Sequence, residues 1–288
     1  MVANISRRSI EFSTEAGHSE TIFDMEYFPG SSKSEDGREL LASCSYDGTV
    51  RVWDSNTMKM LTINNTHRNS PQANKPKKII YSISWHPTEP KIAVVTINGN
   101  LMVYDALKAK LLSHICPYEN SPSFKVAWNQ LEPKNILMST SQKSVVLIEV
   151  VDIDTCKTLT KKMDFFHMDQ VFGVDWDPKV SSRFLTGCKD GKMRMFDILN
   201  GNKSPIKIFT GHQSRIYNVL FNKQLPHIAV SGSDDCSIRV WDVNQEGGGG
   251  AMQVLGGKDV KGSHTNYVRG LAFLPEIAWC LISGSWDS

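Results

Sequence analysis

The sequence lacks any apolar run long enough to cross a membrane, and it carries almost no excess charge. Its 288 residues include 32 lysines and arginines against 30 aspartates and glutamates, for a net charge of +2 with histidine neutral. No stretch approaches about 18 apolar residues, and the segment around Arg7 and Arg8 has no apolar core of the kind found in secretory signals. We therefore expect an intracellular, cytoplasmic protein that binds neither membranes nor nucleic acid.

Paired cysteines and catalytic motifs are absent as well. The chain has no C-x-x-C pair with a matching pair of histidines, so neither a zinc site nor a disulfide framework is predicted. It also lacks the G-x-S-x-G, G-x-x-x-x-G-K-S/T and H-E-x-x-H motifs of hydrolases, phosphate-binding loops and zinc enzymes. We predict no metal, no cofactor and no enzymatic activity. The scattered cysteines are Cys44, Cys116, Cys156, Cys188, Cys236 and Cys280.

Helical periodicity is also missing, and a long repeat takes its place. A histidine precedes an aspartate by 23 residues at three places: His167 and Asp190, His212 and Asp235, and His264 and Asp287. An aromatic residue followed by aspartate comes six residues after a turn aspartate at three places, beginning at Trp53, Phe196 and Trp241. Spacing held this strictly indicates an internal repeat of about 45 residues.

The segments between these landmarks read as short strands. The runs 49–53, 192–196 and 237–241 alternate β-branched or apolar residues with polar ones, as strands do. Asp-Gly and Asn-Gly pairs join such runs and favour hairpin turns; they are Asp47-Gly48, Asn98-Gly99 and Asp190-Gly191. A repeat of about 45 residues with four short strands predicts one blade of a β-propeller.

Over nearly its whole length the chain resembles the WD-repeat family. Besides the spacing, the runs 17–24, 40–54, 171–176 and 281–287 are similar to one propeller of a family member that has two in tandem. The resemblance implies an all-β WD-repeat β-propeller with five complete or near-complete blades and a truncated sixth, part of a seven-bladed ring in a larger chain. Its units are predicted to start near residues 18, 76, 119, 167, 212 and 264.

The predicted propeller covers residues 18–288, with an outer strand and lead-in at 1–17. Residues 9–12 would form that strand, which in the family completes the last blade and closes the ring. Three insertions are expected on the surface, and the glycine run 247–250 in the third predicts flexibility. The insertions are residues 31–38, 68–75 and 246–262.

In the WD-repeat family, a buried hydrogen-bond relay of histidine, a hydroxyl residue, aspartate and tryptophan fixes each blade. Phe196 replaces the tryptophan in unit four, which shortens that relay. Units two and three have Val94 and Met138 at the hydroxyl position, so apolar packing alone is predicted to hold them. The implied relay residues are His18, Ser43, Asp47, Trp53, His167, Thr186, Asp190, His212, Ser231, Asp235, Trp241, His264, Ser283 and Asp287.

Serine, histidine and aspartate in one group also suggest a hydrolase triad. A catalytic triad is built once, whereas this trio recurs at the same positions around the ring. We therefore interpret the three residues as structural.

Aromatic residues recur five positions after the unit starts, where the resemblance places the innermost strand near the mouth of the central channel. In a chain that is only 9% aromatic, this recurrence, with arginines beside it, is typical of an interface hot spot. The residue before each turn aspartate, and the third residue after each unit start, are expected on the same face. The predicted partner-binding residues are Phe23, Tyr46, Tyr81, Phe124, Phe172, Lys189, Arg215, Tyr217, Asp234, Tyr267, Arg269 and Trp286.

Two alternatives stay open for the inner aromatic residues, since Phe124 and Phe172 could equally well pack between blades. For the chain as a whole, we predict an interaction scaffold that binds a protein or peptide partner on the channel-mouth face. A propeller-fold enzyme or small-molecule binder would need convergent acids, a metal cluster or a nucleophile among the non-repeating residues, and none is evident. A nucleic-acid reader is disfavoured by the near-neutral charge.

Overall fold

Strands are the only regular elements in the described part of the chain. The computed structural model describes residues 17–30, 38–57, 59–65, 79–246, 248–257 and 260–287. Within these ranges no helix is long and apolar enough to cross a membrane. The predicted outer strand at 9–12, the insertion at 68–75 and the start of the second unit at 76 lie outside the described residues, as does most of the insertion at 31–38.

The strands form five four-stranded antiparallel blades, one of which gains a short added strand, and a sixth sheet of two strands. The first three blades are β1 (Ile22–Tyr27), β2 (Leu40–Ser45), β3 (Thr49–Asp54) and β4 (Lys59–Asn65); β5 (Ile80–Trp85), β6 (Lys91–Thr96), β7 (Leu101–Asp105) and β8 (Lys110–Ile115); and β9 (Val126–Trp128), β10 (Asn135–Thr140), β11 (Ser144–Val150) and β12 (Leu159–Phe166).

The fourth blade is β13 (Val171–Trp176), β14 (Arg183–Cys188), β15 (Met193–Asp197) and β16 (Lys207–Phe209), extended by β20 (Gly248–Gly249). The fifth is β17 (Ile216–Phe221), β18 (Ile228–Ser233), β19 (Ser237–Asp242) and β21 (Gln253–Gly256), and the sixth sheet is β22 (Val268–Phe273) with β23 (Leu281–Ser285). The predicted all-β propeller of five blades and a partial sixth is therefore confirmed.

The second and third strands of each blade are joined by a turn that needs left-handed backbone. Gly48, Gly99 and Gly191 adopt φ values of 78°, 80° and 73° at these turns. A Cβ on Gly99 would lie 2.5 Å from the Tyr118 carbonyl oxygen, so glycine is required there for space as well as for conformation. Lys143 and Cys236 take the same conformation in the blades that lack the glycine.

The hydrophobic core lies between successive sheets rather than in one central volume. Phe28 of the first blade packs on Trp85 of the second with ring centroids 5.2 Å apart, and similar buried clusters fill each following interface. Indole groups also bond across these interfaces, since Trp85 Nε1 donates to the Glu26 carbonyl oxygen at 2.8 Å. Blade-to-blade burial therefore supplies most of the apolar stabilisation.

The first strands β1, β5, β9, β13, β17 and β22 contact one another in succession, which places them around the central channel. At the outer edge of the fourth blade, the structure differs from what was expected of the glycine run. The glycine run predicted to be flexible contributes Gly248 and Gly249 to β20, which pairs in parallel with Ile208 and Phe209 of β16. The same predicted insertion also contains β21, so its glycines link the outer edges of two blades.

Candidate functional site

A β-bulge interrupts the first strand in five of the six sheets. In β1, Ile22 faces Ser45 and Asp24 faces Cys44, so that Phe23 between them has no partner on β2. A bulge bends its strand and re-aims the extra side chain, and here it does so at the same height in each sheet. The bulged residues are Phe23, Tyr81, Phe172, Tyr217 and Arg269, while Phe124 comes just before β9.

One backbone hydrogen bond recurs beside these bulges in all six sheets. The residue before the turn position donates its N–H to the carbonyl of the third residue after the unit start, as in Tyr46 to Thr21 at 2.9 Å. The bond brings together two of the three sets of positions expected on the channel-mouth face. The other pairs are Ile97 to Ile79, Ser141 to Pro122, Lys189 to Gln170, Asp234 to Arg215 and Trp286 to Tyr267.

Eight aromatic rings form a continuous series across this face, from the first sheet to the sixth. We call it the aromatic arc: Tyr46, Phe23, Tyr81, Phe124, Phe172, Tyr217, Tyr267 and Trp286. Consecutive ring centroids lie 6.3, 5.0, 5.6, 4.6, 5.3, 6.1 and 6.4 Å apart. These are the distances of tilted and edge-to-face aromatic pairs, so the rings hold one another in place.

The arc is open to solvent at both ends and half-buried between them. Tyr46, Tyr267 and Trp286 are 40%, 39% and 57% exposed. Phe124 and Phe172 are neither fully buried nor fully exposed, because their rings contact each other and the neighbouring arc residues. Each therefore packs between blades and also presents part of its ring to the face.

Three cationic side chains accompany the arc. Arg215 Nε lies 2.5 Å from Asp234 Oδ2, and that carboxylate is 7% exposed. Asp234 was expected to open onto the face, but it is buried beneath Arg215 and serves as that cation's partner. Lys189 is exposed, with its Nζ 3.6 Å from Asp169 Oδ2. The Arg269 guanidinium lies over the Tyr217 ring at 4.2 Å and the Trp286 ring at 4.4 Å.

The histidine relay forms in the first, fifth and sixth sheets. In the fifth, His212 Nδ1 donates to Asp235 Oδ2 at 2.8 Å, while Ser231 Oγ donates to His212 Nε2 at 2.7 Å and accepts from Trp241 Nε1 at 2.8 Å. The first sheet repeats this geometry with His18, Asp47, Ser43 and Trp53, and the sixth repeats the histidine bonds with His264, Asp287 and Ser283.

These bonds shift the ionisation of the aspartates. Burial alone would raise the pKa of Asp47, but hydrogen bonds from Thr49 and His18 lower that pKa to about 2. Burial lowers the pKa of His18 despite the neighbouring carboxylate. At neutral pH the pair therefore consists of a carboxylate and a neutral imidazole, as expected for a structural hydrogen bond.

In the fourth blade, the prediction that Asp190 belongs to the relay is wrong. His167 Nε2 still bonds Thr186 Oγ1 at 2.9 Å, but its Nδ1 donates to the Phe165 carbonyl at 3.0 Å. Asp190 instead pairs with both terminal nitrogens of Arg194, at 3.1 and 2.5 Å. The His167 ring packs on Phe196 with centroids 5.2 Å apart, in place of a hydrogen bond from an indole.

The third blade does not rely on apolar packing alone, contrary to expectation. Val94 and Met138 are buried at the hydroxyl position, as predicted. Hydroxyl groups elsewhere bond in the third blade: Thr140 with Ser144 at 3.0 Å, and Ser121 with Ser141 at 2.8 Å. A Ser/Thr network thus partly replaces the relay there.

Acceptor side chains on the first strands bond the backbone of the next blade. Glu26 Oε2 accepts from the Trp85 N–H at 3.2 Å, and Asp175 Oδ2 accepts from the Phe221 N–H at 2.8 Å. Similar acceptors are Asp24 to Ile83, Ser82 to Val126 and Ser84 to Trp128. Sequence reasoning missed these residues, although an acid inside an otherwise apolar or aromatic strand is a signal that could have found them.

Lys125 lies among these acids, in a channel cluster that consists of Asp24, Glu26, Lys125 and Asp175, and Lys223 also acts on Glu26 and Asp175. Lys125 Nζ lies 2.8 Å from Asp24 Oδ2. Burial and the nearby Asp24 raise the pKa of Glu26 to about 7, against the opposing effect of Lys125. Burial also raises the pKa of Asp175 to about 6.

Replacing Glu26 by glutamine should stabilise the protein above neutral pH. The folded-state pKa of Glu26, about 7, lies above the ordinary 4.5, so the folded chain binds the proton more tightly between those values. The free energy of unfolding therefore falls as the pH rises through this window, and Glu26→Gln, which keeps an acceptor for Trp85, should remove that fall. We expect a gain of about 1–3 kcal/mol at about pH 8 and almost none at about pH 4.5.

Urea unfolding across this pH range measures the effect. Glu132→Gln is the matched control, since Glu132 forms an exposed pair with Lys134 at 3.4 Å. Parallel stability profiles for the wild type and Glu26→Gln would contradict the prediction.

No group of three or more histidine, cysteine, aspartate or glutamate side chains in the described ranges has the arrangement of a metal site. The six cysteines are free, and four of them are buried. The aromatic arc and its cations are therefore the strongest candidate for a binding site on the described surface.

Two protein-family profiles match the chain. The profile of the WD domain, G-beta repeat, matches residues 11–54 and 203–242. The profile of the anaphase-promoting complex subunit 4 WD40 domain matches residues 35–131. Both describe WD repeats, and together they cover the first two blades and three strands of the fifth.

Several curated proteins are similar to this chain. The chain is 26% identical to the nuclear distribution protein PAC1 of Gibberella zeae, over 92% of this chain and 57% of the relative. It is 24% identical to a guanine nucleotide-binding protein subunit beta of Oryza sativa subsp. indica, over 57% of this chain and 44% of the relative. It is 26% identical to nucleoporin SEH1 of Saccharomyces cerevisiae, over 55% of this chain and 50% of the relative. The chain thus spans about half the length of these relatives.

The repeat spacing, the four-stranded blades around a channel and the histidine relay agree with these matches. These three features are different properties of the molecule: sequence periodicity, backbone pairing and side-chain geometry. The chain belongs to the WD-repeat family of β-propeller proteins.

Proposed function

We propose that this chain is a protein-interaction scaffold that binds a protein or peptide partner on the channel-mouth face, through the aromatic arc. The observation that carries the proposal is the continuous series of eight rings joining all six sheets on one face. Tyrosine, tryptophan and arginine are the residues that most often dominate binding energy at protein interfaces.

The packing of the arc also suits binding. Because each ring is held by its neighbours, a partner would immobilise few additional side-chain rotamers, and the entropy lost on binding would be small. The exposed rings of Tyr46 and Trp286 are available for contact, while the half-buried Phe124 and Phe172 offer a firm apolar floor. Such a surface can hold an apolar side chain of a partner.

The names of similar proteins support the same class of function. One relative is named as a subunit beta, and one matching profile describes a subunit of a complex. None of the three relatives described above carries the name of an enzyme. Both observations favour a component of an assembly over a catalyst.

The test compares the two ends of the same sheets. A random peptide library is selected on the immobilised chain, and each selected peptide is titrated against two double variants. Tyr46→Ser with Trp286→Ser alters the mouth, whereas Tyr27→Ser with Trp279→Ser removes the same residue types at the opposite ends of the same sheets, where Tyr27 and Trp279 are 60% and 68% exposed.

We expect the mouth variant to weaken binding by at least about tenfold and the opposite-end variant by less than about twofold. Melting temperatures of both variants check that folding is kept. A reversed pattern, or a library that yields no peptide sensitive to the mouth variant, would rule out the proposed face.

A further inference from the structure

One cation on the channel-mouth face, Arg269, differs from the others in its partners. Arg269, the bulged residue of β22, forms no ion pair among the described residues, and its Nε is buried without a hydrogen-bond acceptor. Its guanidinium lies against the rings of Tyr217 and Trp286, at 4.2 and 4.4 Å from their centroids. A side-chain hydrogen bond also joins Arg269 to Tyr217, so the group is held beside the two rings while its Nε is left without an acceptor.

The other two cations of the face differ from Arg269 in this respect. The Arg215 charge is offset by Asp234 at 2.5 Å, and the Lys189 charge is offset more loosely by Asp169 at 3.6 Å. The eight side chains of the aromatic arc itself carry no formal charge. The local excess of positive charge is therefore concentrated at one end of an apolar series, on Arg269.

The hydroxyl groups around Arg269 respond to the same charge. Burial raises the pKa of Tyr217 and of Tyr81, and the Arg269 cation opposes that increase at both residues. Tyr217 and Tyr81 belong to the fifth and second blades, and the Arg269 guanidinium lies against the rings of Tyr217 and Trp286, so its charge acts on the channel-mouth face. A ligand lying across the mouth would pass within reach of its N–H groups.

We propose that the partner bound by the aromatic arc anchors an anionic side chain, a carboxylate or a phosphate, on Arg269. This inference rests on the proposed function, because it names the chemistry of a peptide that binds the same face. A planar guanidinium donates two parallel hydrogen bonds to either group, and a site walled by aromatic rings strengthens them by excluding water. An apolar side chain of the same peptide would lie on the Phe124–Phe172 part of the arc.

The test uses three peptide libraries of equal length, all with amidated ends. One contains aspartate and glutamate at random, one lacks both, and one carries a fixed central phosphoserine in place of acidic residues. Peptides selected from each are titrated against the wild type, Arg269→Gln and Arg269→Lys. Lys110→Gln is the matched control, because it removes the same charge from an exposed lysine on the outer strand β8, away from the channel mouth.

We expect strong selection from the acidic or the phosphoserine library, and the richer of the two identifies the source of the anion. Neutralising the anionic position of a selected peptide should weaken binding to the wild type at least about tenfold, yet change little on Arg269→Gln. Arg269→Lys should recover only part of the affinity, since lysine lacks the paired donors. Inorganic phosphate should compete for the wild type and not for Arg269→Gln.

Peptides that need the mouth residues Tyr46 and Trp286 but bind equally well to Arg269→Gln would overturn the inference while leaving the proposed function standing. Absence of any peptide sensitive to the mouth would instead count against the proposed function. Should Arg269→Gln lower the melting temperature, competition by phosphate on the wild type still decides the question. Selection from the neutral library alone, with no effect of phosphate, would also overturn the inference.

Discussion

Replacing Lys125 by methionine is expected to lower the free energy of unfolding by about 2–3 kcal/mol at about pH 8. Lys125 Nζ lies 2.8 Å from Asp24 Oδ2, with the two side chains 23% and 18% exposed. Without the lysine, the Asp24 carboxylate would keep only uncharged donors, Ser82 Oγ at 2.6 Å and the N–H groups of Met25 at 3.1 Å and Ile83 at 3.3 Å. A charge left unpaired in a poorly hydrated channel is destabilising, and partial exposure keeps the effect below that of a fully buried pair.

The neighbouring acids enlarge this effect and give it a pH signature. Lys125 opposes the raised pKa values of both Glu26 and Asp175. Its removal should raise these folded-state pKa values further, so the loss of stability should shrink at about pH 5, where the carboxyl groups accept protons. Urea unfolding at both pH values measures the difference.

Two further variants separate charge from packing. Lys134→Met removes a lysine from an exposed pair with Glu132 at 3.4 Å and should change stability by no more than about 0.5 kcal/mol. Asp24→Asn, added to Lys125→Met, should restore part of the stability by removing the unpaired charge. If Lys125→Met were no more destabilising than Lys134→Met, Lys125 would have no role in neutralising the cluster.

The sequence was sufficient to predict the fold because the repeated residues occupy positions at which the blade geometry permits few substitutions. A histidine 23 residues before an aspartate defines the distance across two strands and a turn, as His212 and Asp235 show. Aspartate or asparagine followed by glycine marks a turn that needs left-handed backbone, as at Gly48 and Gly99. These fixed points, together with the resemblance to the WD-repeat family, were enough to predict the blades and their strands.

The relay failed in the fourth blade because of a residue outside the repeated set. In the first and fifth blades, the hydroxyl groups of Thr49 and Ser237 donate to Oδ1 of the turn aspartate at 2.6 Å. The fourth blade has Lys192 at this position, which has no hydroxyl group. The Asp190 carboxylate therefore pairs with Arg194 instead. The absence of a hydroxyl residue at position 192 could have been recognised from the sequence.

The candidate site shows a different limit of sequence reasoning. Spacing placed Phe23 and Tyr217 at equivalent positions, but it could not show that a bulge re-aims both side chains. A bulge depends on how two strands pair, and the sequence of one strand alone does not show that pairing. The burial of Asp234 beneath Arg215 was missed for the same reason, because it depends on two side chains meeting across a turn.

Replacing Asp235 by alanine should lower the free energy of unfolding by about 2–3 kcal/mol, the largest effect expected from the relay. Asp235 accepts from His212 Nδ1 at 2.8 Å, from the Gln213 N–H at 3.0 Å and from Ser237 Oγ at 2.6 Å. The His212 side chain is fully buried, so its Nδ1–H would have no water to replace the lost acceptor. An unsatisfied buried donor is more destabilising than an average hydrogen bond is stabilising.

The pH dependence of this variant has a definite sign. Burial would raise the pKa of Asp235, but hydrogen bonds from His212 and Ser237 hold that pKa well below its ordinary value of 3.8. A carboxyl group with a depressed folded-state pKa contributes stability above the ordinary value and loses it as the pH falls. The gap between the wild type and Asp235→Ala should therefore be full at about pH 7 and should narrow below about pH 4.

Asn98→Ala is the matched control, because Asn98 occupies the turn position of a blade in which Val94 replaces the relay hydroxyl. With no histidine relay to break, its loss should change stability by less than about 0.5 kcal/mol. Asp235→Asn keeps an acceptor for His212 while removing the charge, so its stability should lie between those of the wild type and Asp235→Ala. Equal destabilisation by Asp235→Ala and Asn98→Ala would mean that the relay adds nothing beyond the turn itself, and the fifth blade would then depend on the buried Trp241 and its apolar neighbours.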